Sequence, residues 1–335
     1  MAAPLAIRAA AWHLPERGVD LADLPELATL DPAERELCLT LGIDRIRADE
    51  ELDETALALD AARQALAEAG VAAADLGALV VVESRAPERL MVSEATRLQG
   101  LLGADAALTF SVGGLGCVSI TPALLTARGL LAADPDLEHV LVVHGSKPST
   151  PTRYRHPVTV NGDAGQALLL ARAGDLRVLD CLQESDGAYW DLFHVPFRER
   201  PVADWREECR DPTAYSFRLA LETRDRLREL LRRLLERNGL RREDVRGYVS
   251  QNLSTGGFAF LEEVLDVGLL PACRDNLRRY GHLGPVDVLL NLDTALRRGE
   301  LPDGGPVVLI NASPVAAWSL LLVATGGDHE HTYQL

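Results

Sequence analysis

Residues 106–132 read AALTFSVGGLGCVSITPALLTARGLLA, and their order decides the fold. AALTFSV (106–112) has the apolar, β-branched and aromatic content of a buried strand. GGLG (113–116) is a turn, and from Cys117 a run of small apolar residues continues as a helix to residue 132. Three effects meet at Cys117. The glycines permit sharp backbone geometry and close approach of a second molecule. A helix N-terminus favours a thiolate and lowers a cysteine pKa. The N–H groups of that first turn can hold an oxyanion. Two readings fit this local context: an activated nucleophile, or a small buried residue in a tight turn, since cysteine is often buried.

The flanking sequence repeats the strand–helix alternation. Residues 54–70 (ETALALDAARQALAEAG) have helical periodicity and stop on Gly70. ALVVVES (78–84) and HVLVVHG (139–145) read as buried strands, 92–102 as a helix, and NGDAGQALLLARAG (161–174) as a tight turn entering a further strand. The second half follows the same order: a long helix over 214–238, a strand at GYVSQNL (247–253), helices over 258–268 and about 285–298, then PVVLIN (306–311) and SPVAAWSLLLVATGG. Such alternation predicts layered α/β structure with largely parallel sheets, and a repeat of roughly 150 residues fits two fused copies of one unit rather than a solenoid. The expected organisation is a first half over 1–174, an irregular connection lying over a site at 175–213, and a second half over 214–335.

Composition narrows the function classes. The chain has 335 residues, 47% of them hydrophobic, and a formal net charge of −16, which argues against nucleic acid as a partner. No stretch of 18 apolar residues is free of charge and no signal peptide opens the chain, so a cytoplasmic protein without membrane attachment is expected. Five dispersed cysteines, with no CxxC pair, predict neither a disulfide framework nor a metal site. No GxG turn has the strand–GxGxxG–helix context of a dinucleotide site.

Several ordered segments resemble the ketoacyl-acyl carrier protein synthase III family of the thiolase superfamily. LPERGVDLADL (14–24) is similar to its N-terminal strand and turn, and LGIDRIR (41–47) to its TGIR segment. GCVSITPALLTARGLL matches the nucleophile region, and NGDAGQA (161–167) resembles the FGDGAGA turn. The resemblance implies a five-layered αβαβα thiolase fold with two pseudo-repeated halves, a homodimer, and acyl transfer through Cys117 with no cofactor. Donors would be thioesters of acyl carrier protein or coenzyme A.

The catalytic positions depart from the family pattern. Gln251 stands where the VPHQAN-type motif has histidine, and His282 where the GNTS-type motif has asparagine. GHLGPVD (281–287) resembles atypical members from antibiotic pathways that form esters and amides, in which the histidine pairs with a carboxylate, here Asp287. His282 is then the expected base. A purely local role also suits these residues, His282 capping the following helix and Asp287 in its first turn. A glutamine amide donates one hydrogen bond and cannot act as a base. Acyl transfer to a hydroxyl, amine or thiol is therefore expected ahead of decarboxylative condensation by a starter-unit synthase, or of a non-catalytic partner subunit.

Aligned on Trp318, Pro314 falls on or beside the glycine whose N–H completes the family's oxyanion hole. Gly116 with Ser313 or Val315 is expected to serve there instead. His194 is a candidate second histidine, while His144 and His156 are expected to be structural. The 214–238 helix is rich in arginine, and by resemblance Arg218 lies near the carrier-protein docking contact. Arg153 and Arg155 are expected to meet a coenzyme A phosphate.

Overall fold

A computed structural model describes residues 3–83, 89 and 91–326. Nine strands form its principal sheet: β1 (Ala6–His13), β2 (Ala78–Val82), β3 (Leu108–Val112), β4 (Val140–Ser146), β5 (Ala164–Ala171), β6 (Leu176–Ser185), β7 (Gly247–Ser250), β8 (Gly305–Ser313) and β9 (Ala317–Thr325). Their spatial order is β7-β8-β9-β6-β1-β5-β4-β2-β3. The helices are α1 (Pro32–Leu39), α2 (Glu54–Ala69), α3 (Glu94–Leu102), α4 (Ile120–Ala133), α5 (Ala220–Arg237), α6 (Thr255–Leu265), α7 (Pro271–Tyr280) and α8 (Asp287–Arg297).

Within the principal sheet the two halves join where β1 pairs β6, at Ala6↔Arg177 and Ile7↔Leu176. On either side the pattern repeats. β2 runs parallel to β4, β4 antiparallel to β5, and β5 antiparallel to β1. Correspondingly, β7 runs parallel to β8, β8 antiparallel to β9, and β9 antiparallel to β6. The first half carries one further parallel strand, β3 beside β2; in the second half a lone bridge from Tyr248 to Leu269 occupies that place.

Residues 176–185 therefore belong to the second half as its first core strand, and only the segment from Asp186 onward is a connection. The alternating half-buried pattern of LRVLDCLQES hid the strand among polar residues. Helices α1 and α7, absent from the sequence expectation, are short and rich in charge. The long helix expected over 214–238 begins with a wider π-helical turn at Ala214–Leu219.

Strands buried on both faces explain the layers. Along β2 and β4, Leu79, Val81, Leu141 and Val143 pack on α2 and α3, while Val80, Val82, Val140 and Val142 face the core that contains α4. In the second half α5 covers β9 and β6 on one side, and α8 lies against β7 and β8 on the other. The order is α2/α3, sheet, α4 and α8, sheet, α5: a five-layered α/β architecture. Gly116–Ala133 is long and apolar enough to cross a membrane, but over half of it is buried here between the sheets.

Capping sets the helix ends. Asp53 accepts a hydrogen bond from the Ala56 N–H at the start of α2, and Gly70 ends it in the left-handed conformation (φ 65°). The cross-strand pair Gly145↔Gly165 seats that helix on the sheet. A Cβ on Gly165 would lie 1.9 Å from the Leu57 carbonyl oxygen, a backbone atom that cannot swing aside. Gly165→Ala should therefore destabilise the fold by about 1–3 kcal/mol or more through overpacking, read as a lower urea midpoint at unchanged m-value.

Candidate active site

Cys117 is almost fully buried in a 3₁₀ turn, Gly116–Ser119, that runs directly into α4. The turn is reached from β3 through Gly114 (φ 90°) and Gly116 (φ 57°), conformations that L side chains adopt rarely. Ser119 Oγ accepts from the Leu115 N–H at 3.1 Å and fixes its start. The turn packs against β8 of the other half.

His282 comes from that other half, in the segment between α7 and α8. Its N–H donates to the Val160 carbonyl at 2.9 Å, and its own carbonyl accepts from the Gly162 N–H at 3.0 Å. The NGD turn of the first half thus ties down the histidine loop. Gly281 (φ 64°) is required there, because a Cβ would come within 2.6 Å of the Val160 carbonyl oxygen.

The two halves so joined bring three side chains into line. Cys117 Sγ lies 3.1 Å from His282 Nε2, and His282 Nδ1 lies 2.6 Å from Asp287 Oδ2. Asp287, fully buried at the start of α8, also accepts from the Leu283 N–H and the Asn252 N–H, each at 2.9 Å. A carboxylate held by two backbone donors fixes the imidazole tautomer with its proton on Nδ1 and leaves Nε2 facing sulfur. Burial alone would lower the His282 pKa. The facing Cys117 sulfur and the Asp287 carboxylate outweigh it and raise it to about 10, favouring an imidazolium beside the sulfur.

Sequence reasoning missed the scaffold beneath this line. Asn291 Nδ2 donates to Asn252 Oδ1 and to the Ser250 carbonyl, and Asn276 donates to Asn291 Oδ1, all at 2.8 Å. The signal was available for Asn291, which stands among leucines on α8 and needs buried partners.

Cys117 opens into a cavity of about 70 Å³ lined by residues that include Gly116, His144, Ser146, Lys147, Arg155, Asn161, Glu207, His282 and Gly284. Glu207 comes from the connection. The second histidine in this cavity is His144, at the end of β4. His194 sits exposed on a two-residue strand paired with Glu208.

Gln251 does not line the cavity. Its amide donates to the Ala312 carbonyl and accepts the Ala312 N–H at 3.2 Å, so it serves as a strand-end clasp. Ser313 and Val315 do not line it either. The three-residue hairpin Pro314–Ala316, with Ala316 at φ 51°, turns Ser313 toward a second, mainly apolar pocket of about 290 Å³. Gln251, Tyr215, Leu219 and Phe260 share that pocket, and the buried Ser313 hydroxyl has no partner among the described residues.

The arginine expectations divide. Arg153 is bidentate on the buried Asp163 (2.7 and 3.0 Å), and Arg155 on Glu207 (2.9 and 2.6 Å). Both guanidiniums are thus committed internally and do not face outward to a phosphate. On α5, Arg226 and Arg233 pair with Glu184, and Arg232 with Glu229 and Glu236, so most of the basic strip is neutralised. Arg218 is 70% exposed, with only Asp211 at 3.9 Å. His156 Nδ1 hydrogen-bonds the Tyr154 hydroxyl at 3.1 Å.

No family model matches the chain. It is 29% identical over 333 residues to a beta-ketoacyl-[acyl-carrier-protein] synthase III of Oleidesulfovibrio alaskensis, spanning 93% of this chain and 96% of that one. Among solved structures, 3-oxoacyl-(acyl carrier protein) synthase III from Pseudomonas aeruginosa superimposes with a TM-score of 0.76 at 24% identity, over 97% of this chain and 99% of that one. ChlB3, described as an acyltransferase, superimposes with a TM-score of 0.80 at 22% identity, over 96% and 98%. The five-layered architecture is thus the thiolase fold.

Proposed function

We propose that this thiolase-fold chain, a relative of the ketoacyl synthases III, moves an acyl group from a thioester of acyl carrier protein or coenzyme A through Cys117 to a hydroxyl, amine or thiol. The observation that carries this reading is the continuous line Cys117 Sγ–His282 Nε2 and His282 Nδ1–Asp287 Oδ2. In the first half-reaction His282 holds the Cys117 proton, the thiolate attacks the thioester carbonyl, and the departing thiolate recovers the proton from His282. In the second, His282 takes the proton of the acceptor as it attacks the acyl-Cys117 carbonyl. It then returns that proton to the Cys117 sulfur.

A starter-unit synthase would instead form a carbon–carbon bond by decarboxylation, which calls for two donors at the malonyl thioester carbonyl. Gln251 stands at the position of one such donor, but its amide is clasped to Ala312 and lines the other pocket, away from Cys117. His282 is tied to a carboxylate. Both facts favour simple transfer. The ChlB3 likeness points the same way, and retention of a buried, paired thiol weighs against a scaffold subunit. A cytoplasmic homodimer of specialised metabolism and docking of an acidic carrier near the exposed Arg218 belong to the same reading.

Intact-mass spectrometry tests it. Wild-type protein incubated with acyl thioesters should gain one acyl mass that hydroxyl or amine acceptors discharge, and Cys117→Ala should gain none. Release of carbon dioxide from malonyl carrier protein in step with product would overturn the transfer reading.

A further inference from the structure

The cavity beneath Cys117 has a mixed polar and apolar wall, and Arg155, Glu207 and Lys147 on it are engaged within the protein. Arg155 is bidentate on Glu207. Lys147 donates to the Asp49 and Leu52 carbonyls at 2.7 and 2.5 Å, with Asp163 at 4.0 Å. Two groups on the wall beside the histidine loop stand out, His144 and Ser146. His144 donates from Nδ1 to the Val82 carbonyl at 2.8 Å, so Nε2 carries no proton and presents a lone pair. Burial pushes this histidine down to about 4, which keeps it neutral and makes it a hydrogen-bond acceptor rather than a useful base. Two residues along the same strand, and so on the same face, is Ser146. A Cβ on Gly284, beside His282, would lie 3.7 Å from Ser146 Oγ and 3.8 Å from His144 Nε2, which places both groups together at the histidine loop. Neither has a partner within the protein among the described residues.

Resting on the reading that Cys117 carries the acyl group, we propose that this recess selects a short acyl chain bearing a hydroxyl, which donates to His144 Nε2 and accepts from Ser146 Oγ. A group attached to Sγ must lie in the cavity into which Sγ opens, which at about 70 Å³ is much smaller than the 290 Å³ apolar pocket. A saturated chain would strip water from two buried polar groups without replacing it. A hydroxyl matches both, being donor and acceptor at once.

The test compares matched small thioesters, lactyl against propionyl and 3-hydroxybutyryl against butyryl, by the rate of Cys117 acylation in intact-mass spectra. At least one hydroxyacyl probe should react about tenfold faster than its saturated match, or more, because a site built to bond a hydroxyl rejects analogues that lack it. The ratio should fall toward one in His144→Leu and partly in Ser146→Ala. Thermal midpoints show that the variants fold, and the milder Ser146→Ala keeps the test alive if His144→Leu does not. Equal rates within both pairs in the wild type would overturn the proposal and leave acyl-Cys117 intact. So would a preference that both variants retain, or faster reaction of glycyl and β-alanyl probes. No adduct with any probe would overturn the acyl-carrier reading itself, and this proposal with it.

Discussion

His282→Ala is expected to slow acylation of Cys117 by about 10²–10⁴-fold, the usual contribution of a positioned general base. The variant loses the group 3.1 Å from Sγ. His144 is neutral and pinned by Val82, and Gln251 lies outside the cavity. A distinct signature accompanies the loss. In the wild type, alkylation of Cys117 by iodoacetamide should vary little with pH around neutrality, because the imidazolium holds the thiolate. In His282→Ala it should rise steeply with pH, as for an unpaired thiol. Alkylation profiles that coincide in the two proteins would remove the ion pair from the mechanism. Stability follows the same group. Because its folded pKa is raised to about 10, His282 contributes stability that is complete below its unfolded pKa of about 6.5 and is lost as pH climbs through 10.

Asp287→Asn carries the second large effect, and it touches both fold and chemistry. Asp287 accepts three N–H bonds in a fully buried setting: His282 Nδ1, Leu283 N and Asn252 N. An asparagine amide turns one acceptor into a donor facing another donor. The expected cost is about 3 kcal/mol, that of breaking a buried charged contact. The imidazole also loses the partner that fixes its tautomer, for which about 10⁴-fold is the comparable loss in a hydrolase triad. Chemical denaturation and the acylation rate per folded molecule separate the two. A protein that is destabilised but acylates at the wild-type rate would reduce Asp287 to a helix-end anchor, the local role that its position at the start of α8 also allows.

Much of this site was legible in one dimension because its pieces are short-range. The strand, the glycines and the helix around Cys117 are local, and glycine is needed where the backbone goes left-handed. His282 and Asp287 lie five residues apart, so a motif can hold both. What was not legible lies across the chain. Gln251 was assigned by position, yet its fate depends on Ala312, sixty-one residues away. Arg153 and Arg155 read as free cations because Asp163 and Glu207 become their partners only on folding.

By itself the sequence determined the layered α/β halves, the turn that presents Cys117, and the histidine–carboxylate spacing. Periodicity, glycine placement and helix ends are properties of neighbouring residues. Only the tertiary structure decided that Cys117 and His282, 165 residues apart, face each other at 3.1 Å, since that contact depends on how the halves dock. It also decided which polar groups keep a free valence. His144 read as structural and His194 as the spare histidine. Folding put His144 on the wall of the Cys117 cavity and His194 outside it, and at His144 only one of the two ring nitrogens has a partner among the described residues, because hydrogen-bond satisfaction is settled by whatever long-range neighbours arrive.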